Sequence, residues 1–184
     1  HKRTSLMPVG GGQFYFFLDV PLPKGTESQP ETYQDELSSH FKGWAQPVQT
    51  LIQRLDPHKT NRVEIHDVLP LETLVKGRIA LLGDAGHSTA PDLGQGGCQA
   101  MEDALVLATM LQTTNLSVED ALKRYEAARK ERVAGVVSGA RKRSNITHGK
   151  EPEKTESWYQ ELETEDGTRI MDAISRTILA GPLG

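Results

Sequence analysis

The chain has 184 residues, of which 36% are apolar and 25% charged, with a formal net charge of −4 and a single cysteine, Cys98. That length supports one compact domain or two small ones with a substantial core, and the composition excludes collagen-like, disulfide-scaffold and grossly disordered chains. The acidic balance argues against non-specific nucleic-acid binding, no run reaches the roughly 20 apolar residues of a membrane span, and a lone cysteine fits a reducing, cytoplasmic compartment.

The sequence opens His1-Lys2-Arg3 with neither an initiator Met nor a secretory signal. It enters strand-like sequence at once, which reads as a fragment of a longer protein. Residues 3–20 predict a hairpin reversing at Gly10-Gly11-Gly12, where glycine supplies positive φ. On its second arm Phe14, Phe16 and Leu18 share one face, and Tyr15, Phe17 and Asp19 the other. The aromatic cluster of Phe14, Phe16 and Phe17 reads as sheet core. After a Pro/Gly/Ser-rich loop over 21–30, Tyr33, Leu37, Phe41, Trp44, Val48, Leu51, Ile52 and Leu55 recur at helical spacing. Gly43 and Pro47 divide that run into two helices, with Pro47 in the first turn of the second.

Residues 61–68 alternate and predict a strand. Gly77-Arg-Ile-Ala-Leu-Leu-Gly83 predicts a short apolar strand covered on both faces. A turn and a helix follow, the helix with Met101, Ala104, Leu105, Ala108 and Leu111 as its buried stripe. Ser117-Val-Glu-Asp120 opens the next helix with a capping-box-like start; it runs through Leu122, Tyr125, Val133, Val136 and Val137 toward Ala140. Its basic Arg141-Lys-Arg143 reads as a solvated end. Beyond Gly149 an acidic face and apolar clusters around Trp158 and Ile174 predict one or two more helices. No internal repeat is present.

The chemistry is concentrated in Gly83-Asp-Ala-Gly-His87-Ser-Thr-Ala-Pro91-Asp-Leu-Gly94-Gln-Gly-Gly97-Cys98 and the following Glu102-Asp103-Ala104. A strand end, a Gly/Pro-rich turn and a helix start place unpaired amides and the positive end of a helix dipole at one point. Glycine lets a ligand approach the backbone there, and negative or electron-rich groups are favoured. Asp84 is placed to accept hydrogen bonds from polyol hydroxyls. His87 reads as a histidine that orders the loop rather than a base or metal ligand. Cys98 reads as a packing residue, and no ligand spacing for a metal occurs.

This stretch resembles the second FAD-binding motif of class A flavoprotein monooxygenases, the para-hydroxybenzoate hydroxylase-like family, G-D-A-x-H-x-x-x-P-x-x-G-Q-G followed by E-D-A. Within that family the chain is most similar to members that hydroxylate urate. The likeness runs through Ser5-Leu-Met-Pro-Val9, Phe14-Tyr-Phe-Phe17, Ala140-Arg-Lys-Arg143, Ile146-Thr-His-Gly-Lys150 and Gly181-Pro-Leu-Gly184. The resemblance implies an α/β fold class, here as an α+β fragment from the C-terminal half of the family fold. It divides into part of the substrate domain (1–74), the C-terminal part of the FAD domain (75–148) and a C-terminal helical segment (149–184).

It also implies FAD as cofactor and NADH or NADPH as transient reductant. Asp84, Pro91, Gly94, Gln95, Gly96, Gly97 and Cys98 are then the FAD-binding residues. Arg3 and Tyr15 are the catalytic-site residues that hold and orient urate, with Gln95, Gly96 and Gly97 also touching substrate. The implied product is 5-hydroxyisourate. A guanidinium fork suits the carbonyl and nitrogen edges of a planar anion, and tyrosine offers an apolar face with a polar tip.

No G-x-G-x-x-G occurs among the 184 residues, although the family holds the FAD pyrophosphate with one. The expected partner is therefore an N-terminal half of the same protein, and the chain alone is expected to bind FAD weakly. A related hydroxybenzoate-type hydroxylase and a non-catalytic truncated module remain open alternatives.

Overall fold

The computed structural model describes residues 1–182; Leu183 and Gly184, which close the last resemblance segment and the 149–184 region, lie outside the described residues. The chain forms two compact units, His1–Glu64 and Ile65–Gly184.

In the first unit, β1 (Arg3–Gly10) and β2 (Gln13–Asp19) form the expected antiparallel hairpin. Gly11 and Gly12 make its two-residue loop with φ of 57° and 71°, the left-handed turn that matches strand twist. Leu18 and Val20 pack on a small core of Phe41, Val48 and Ile52. Val48 and Ile52 come from α2 (Gln46–Arg54) and Phe41 from the turn after α1 (Tyr33–His40), which adds the partly buried Leu37. Pro47 lies in the first turn of α2, where its missing N–H has no intrahelical role. Gln34 donates to the Leu55 and Gln53 carbonyls at 2.9 and 3.2 Å, satisfying groups that the end of α2 leaves open. Phe14 departs from the expected core role: it is 60% exposed near the hairpin tip.

The expected strand over 61–68 is absent. The segment is irregular, and Val63 and Ile65 are exposed. Alternation selects faces only where a partner strand binds the ladder, and no strand pairs with this segment among the described residues.

In the second unit the expected central strand is also corrected. Val75–Lys76 (β3) and Ile79–Ala80 (β4) form a two-residue antiparallel pair turning at Gly77. Ile79 is 68% exposed, because no further strand flanks β4 among the described residues. Beyond it come the one-turn helix α3 (Asp84–His87), α4 (Gly96–Gln112) and the long α5 (Val118–Thr147). Two more helices follow, α6 (Pro152–Thr164) and α7 (Thr168–Leu179). Ser117 caps α5 by accepting from the Asp120 amide at 3.1 Å, as its sequence predicts.

The stripe expected to be buried on α4 faces outward: Met101 is 67% exposed, and Leu105 and Leu111 are exposed. Its buried side is Gln99, Asp103 and Val106, packed on α5. A polar network on α5 outcompetes the apolar stripe for this contact. The basic run is not simply solvated. Arg141 binds Asp67 at 2.7 Å, and Arg143 lies 5.1 Å from the centre of the Trp158 ring.

Candidate flavin loop and hairpin face

Leu81 to Gly83 leads from β4 into a sharp turn. Gly83 has φ 53°, and a Cβ built there lies 3.3 Å from the Ala100 Cβ on α4, so glycine is required by both backbone and space. Asp84 follows immediately. Its carboxylate is exposed and makes no hydrogen bond or ion pair among the described residues. Pro91 starts a single 3₁₀ turn that ends at Gly94 with φ 63°. Helix α4 then begins at Gly96 with no side chain capping it. A Cβ at Gly94 or Gly97 would meet nothing within 4 Å, so the backbone is open on that side. Cys98 is exposed in the first helical turn, not packed as its sequence suggests.

A buried ionic network holds this loop. Asp103 is fully buried; its Oδ2 accepts from the Gly83 amide at 2.8 Å and meets His87 Nε2 at 2.6 Å. Its Oδ1 accepts from Arg129 Nε at 2.7 Å. Arg129 also donates to the Gln99 side-chain oxygen at 2.7 Å and to Glu102 at 2.5 Å. Glu102 is further held by both Nε and Nη2 of Arg132 at 2.6 Å. From the turn above Arg129, the Tyr125 hydroxyl donates to the Leu81 carbonyl at 2.9 Å.

Burial pushes the Asp103 carboxyl up, but hydrogen bonds from His87, the Gly83 amide and Arg129 outweigh it and hold the group below its ordinary value. Arg132, against burial and aided by Arg129, does the same to Glu102. Burial, reinforced by the Asp103 charge, pushes the Tyr125 hydroxyl up, so it stays a donor. His87 thus orders the loop. Glu102 and Asp103 gain a physical role. Sequence reasoning passed over Arg129; the signal was an arginine four residues after Tyr125, inside the otherwise apolar stripe of α5.

In the first unit, Arg3 and Tyr15 lie on one face of the hairpin, as alternation requires. Arg3 pairs with Asp19 opposite it, Nε donating at 2.8 Å and Nη2 at 2.5 Å to the same carboxylate oxygen. The Phe17 ring lies between, 5.3 Å below the guanidinium and 6.0 Å from the Tyr15 ring. Asp19 and Phe17 therefore set the position of Arg3, a role their sequence did not signal. Tyr15 is 53% exposed. Gln95, Gly96, Gly97 and the rest of the loop set belong to the second unit.

The donor set of the second unit suits a flavin. An exposed, unpartnered carboxylate matches ribityl hydroxyls, and open glycine amides at a helix start match an electron-rich ring edge. Among the described residues there is no group of three His, Cys, Asp or Glu able to hold a metal ion, and no helix is long and apolar enough to cross a membrane.

Comparison with known proteins agrees with this chemistry. Residues 1–140 match the FAD binding domain family. The FAD-dependent urate hydroxylase of Klebsiella pneumoniae subsp. pneumoniae is 58% identical over 183 residues, covering 100% of this chain and 47% of that protein. That of Mycolicibacterium vanbaalenii is 51% identical over 182 residues, covering 99% and 46%. The crystal structure of Klebsiella pneumoniae HpxO complexed with FAD and uric acid superposes with a TM-score of 0.95 at 58% identity, covering 100% of this chain and 47% of that one. A salicylate hydroxylase substrate complex superposes at 0.64 and 27% identity, covering 79% and 38%. The chain spans about half the length of the curated relatives it matches. By sequence, fold and loop chemistry it belongs to the FAD binding domain family.

Proposed function

We propose that the protein carrying this chain is an FAD-dependent monooxygenase that hydroxylates urate to 5-hydroxyisourate with NADH and O₂. The observation that carries this reading is 58% identity across the whole chain to a urate hydroxylase, one of whose solved structures holds FAD and uric acid. When bound, FAD supplies the redox chemistry, accepting hydride from the nicotinamide and activating O₂.

The chain's own residues supply position and field. Asp84 accepts hydrogen bonds from the ribityl hydroxyls. Amides from Gln95 to Cys98 and the dipole of α4 stabilise negative charge on the facing ring edge, while Pro91 and Gly94, whose own amide donates to the Pro91 carbonyl at 2.9 Å, shape the loop beside it. Gln95, Gly96 and Gly97 contact the substrate edge. Arg3, aimed by Asp19, donates to urate, and Tyr15 orients the purine plane. The location proposed is the cytoplasm, and the remaining length of the relatives supplies the adenosine end of the cofactor site.

The test is NADH oxidation and O₂ uptake by the flavin-loaded protein at the length of its relatives. Urate is expected to accelerate both at least tenfold, with 5-hydroxyisourate identified by mass. Acceleration by 4-hydroxybenzoate or salicylate but not urate would replace this reading with a related aromatic hydroxylase. A flavin-loaded protein that responds to none of them would be a non-catalytic module.

A further inference from the structure

We propose that Arg129 is a positioning residue for the cofactor loop, acting through Asp103 on the Gly83 amide and through Gln99 and Glu102 on the first turns of α4. The proposal rests on the flavin reading of that loop. Arg129 is 1% exposed, and among the described residues its guanidinium hydrogen bonds go to α4: Nε to Asp103, Nη1 to Glu102, and Nη2 to the side chain and carbonyl of Gln99. Those residues lie within two turns of Gly94–Gly97. Asp103 passes the constraint on. The oxygen that Arg129 does not occupy binds the amide of Gly83, the residue directly before Asp84. One guanidinium thus fixes both halves of the site, the carboxylate on the turn and the open amides at the helix start.

Helix packing alone does not call for this arrangement. Buried ion pairs are commonly replaceable by apolar residues of similar volume without loss of stability. What apolar packing cannot reproduce is a directional hold on a backbone amide at a left-handed turn. A binding constellation needs its supporting residues fixed to about half an ångström, and a planar guanidinium with one nitrogen on each of three residues supplies that direction where a lysine does not.

Two variants of the full-length flavoprotein test this, Arg129→Lys and the charge-neutral pair Asp103→Asn with Arg129→Met. The pair leaves Glu102 to Arg132 and keeps the contact buried without an orphaned charge. Amide exchange is measured on the apoprotein and FAD affinity by flavin titration. Exchange in peptides covering 81–87 and 99–103 is expected to rise at least tenfold, with the centre of α5 unchanged. The FAD dissociation constant is expected to rise at least tenfold. FAD affinity within twofold of the parent in both variants would overturn the proposal. So would exchange that rises equally along α4 and α5, the mark of general loosening. If the parent itself binds no FAD, the cofactor reading falls, whereas the exchange pattern still decides whether Arg129 fixes the loop.

Discussion

At the scale of single residues, exposure separates side chains that meet a ligand from those that hold the site. Asp84 has no partner within the described residues, so the fold does not depend on its carboxylate. Asp84→Ala is expected to change stability by less than ~0.5 kcal/mol, as for other exposed positions. It is also expected to weaken FAD binding at least tenfold, since each lost charge-assisted hydrogen bond is worth about 1.5–3 kcal/mol. A urea melt and a flavin titration on the same preparation check both halves. Arg3 differs because its guanidinium is already held by Asp19 over the Phe17 ring. Arg3→Gln removes the charge proposed to hold urate and is expected to raise the urate KM by tenfold or more. Asp19→Asn keeps the charge but loosens its aim, with an expected rise of a few-fold and unchanged FAD affinity. Steady-state kinetics at saturating NADH measure the ordering; an effect of Asp19→Asn larger than that of Arg3→Gln would contradict the assigned roles.

Among elements, those whose residues carry their own instructions were legible in the sequence. The three glycines specified the hairpin turn, Pro47 the start of α2, and Ser117 the start of α5; all are local devices whose physics is complete within a few residues. Ser117→Ala tests one of them: loss of the cap on the Asp120 amide should cost about 1 kcal/mol, read as a lower urea midpoint at unchanged slope. Elements that depend on a neighbour were not legible. The alternation of 61–68 and the apolar run of 77–83 describe faces, and a face becomes a strand only against another strand. The stripe on α4 failed for a different reason. Hydrophobic periodicity assigns burial to Met101 and Leu105, whereas the contact with α5 is built from Gln99, Asp103 and Arg129, polar groups that outrank leucine once every hydrogen bond is made. The loop itself was readable from its motif, but its support was not, because Arg129 lies 45 residues beyond Asp84 and only the packing of α5 on α4 brings them to one place.

On the scale of the whole molecule, that network ties stability and cofactor affinity to the same groups. Asp103 and Glu102 have folded pKa values below their ordinary values of 3.8 and 4.5. Their contribution is therefore complete above those values and is lost as pH falls through the lower folded ones. The melting temperature is expected to hold from pH 7 to about 5 and to fall below about pH 4. The Asp103→Asn, Arg129→Met pair should flatten the Asp103 share of that fall, and an identical pH profile for parent and pair would exclude Asp103 as a source.

The proposed function divides cofactor affinity between the chain and the rest of its relatives' length. On the proposed reading, the residues present contact the ribityl chain and the ring edge, whereas the pyrophosphate needs amides converging at a second helix start, of the kind a G-x-G-x-x-G turn provides. Removing one arm of a ligand held at both ends costs the whole of that arm's binding, because the entropy of immobilising the cofactor must still be met by the contacts that remain. The 184-residue chain on its own is expected to bind FAD at least 100-fold more weakly than a protein of its relatives' full length. Equilibrium dialysis followed by flavin absorbance measures this, and tight one-to-one binding by the isolated chain would show that the Asp84 turn and the start of α4 hold FAD without a pyrophosphate site.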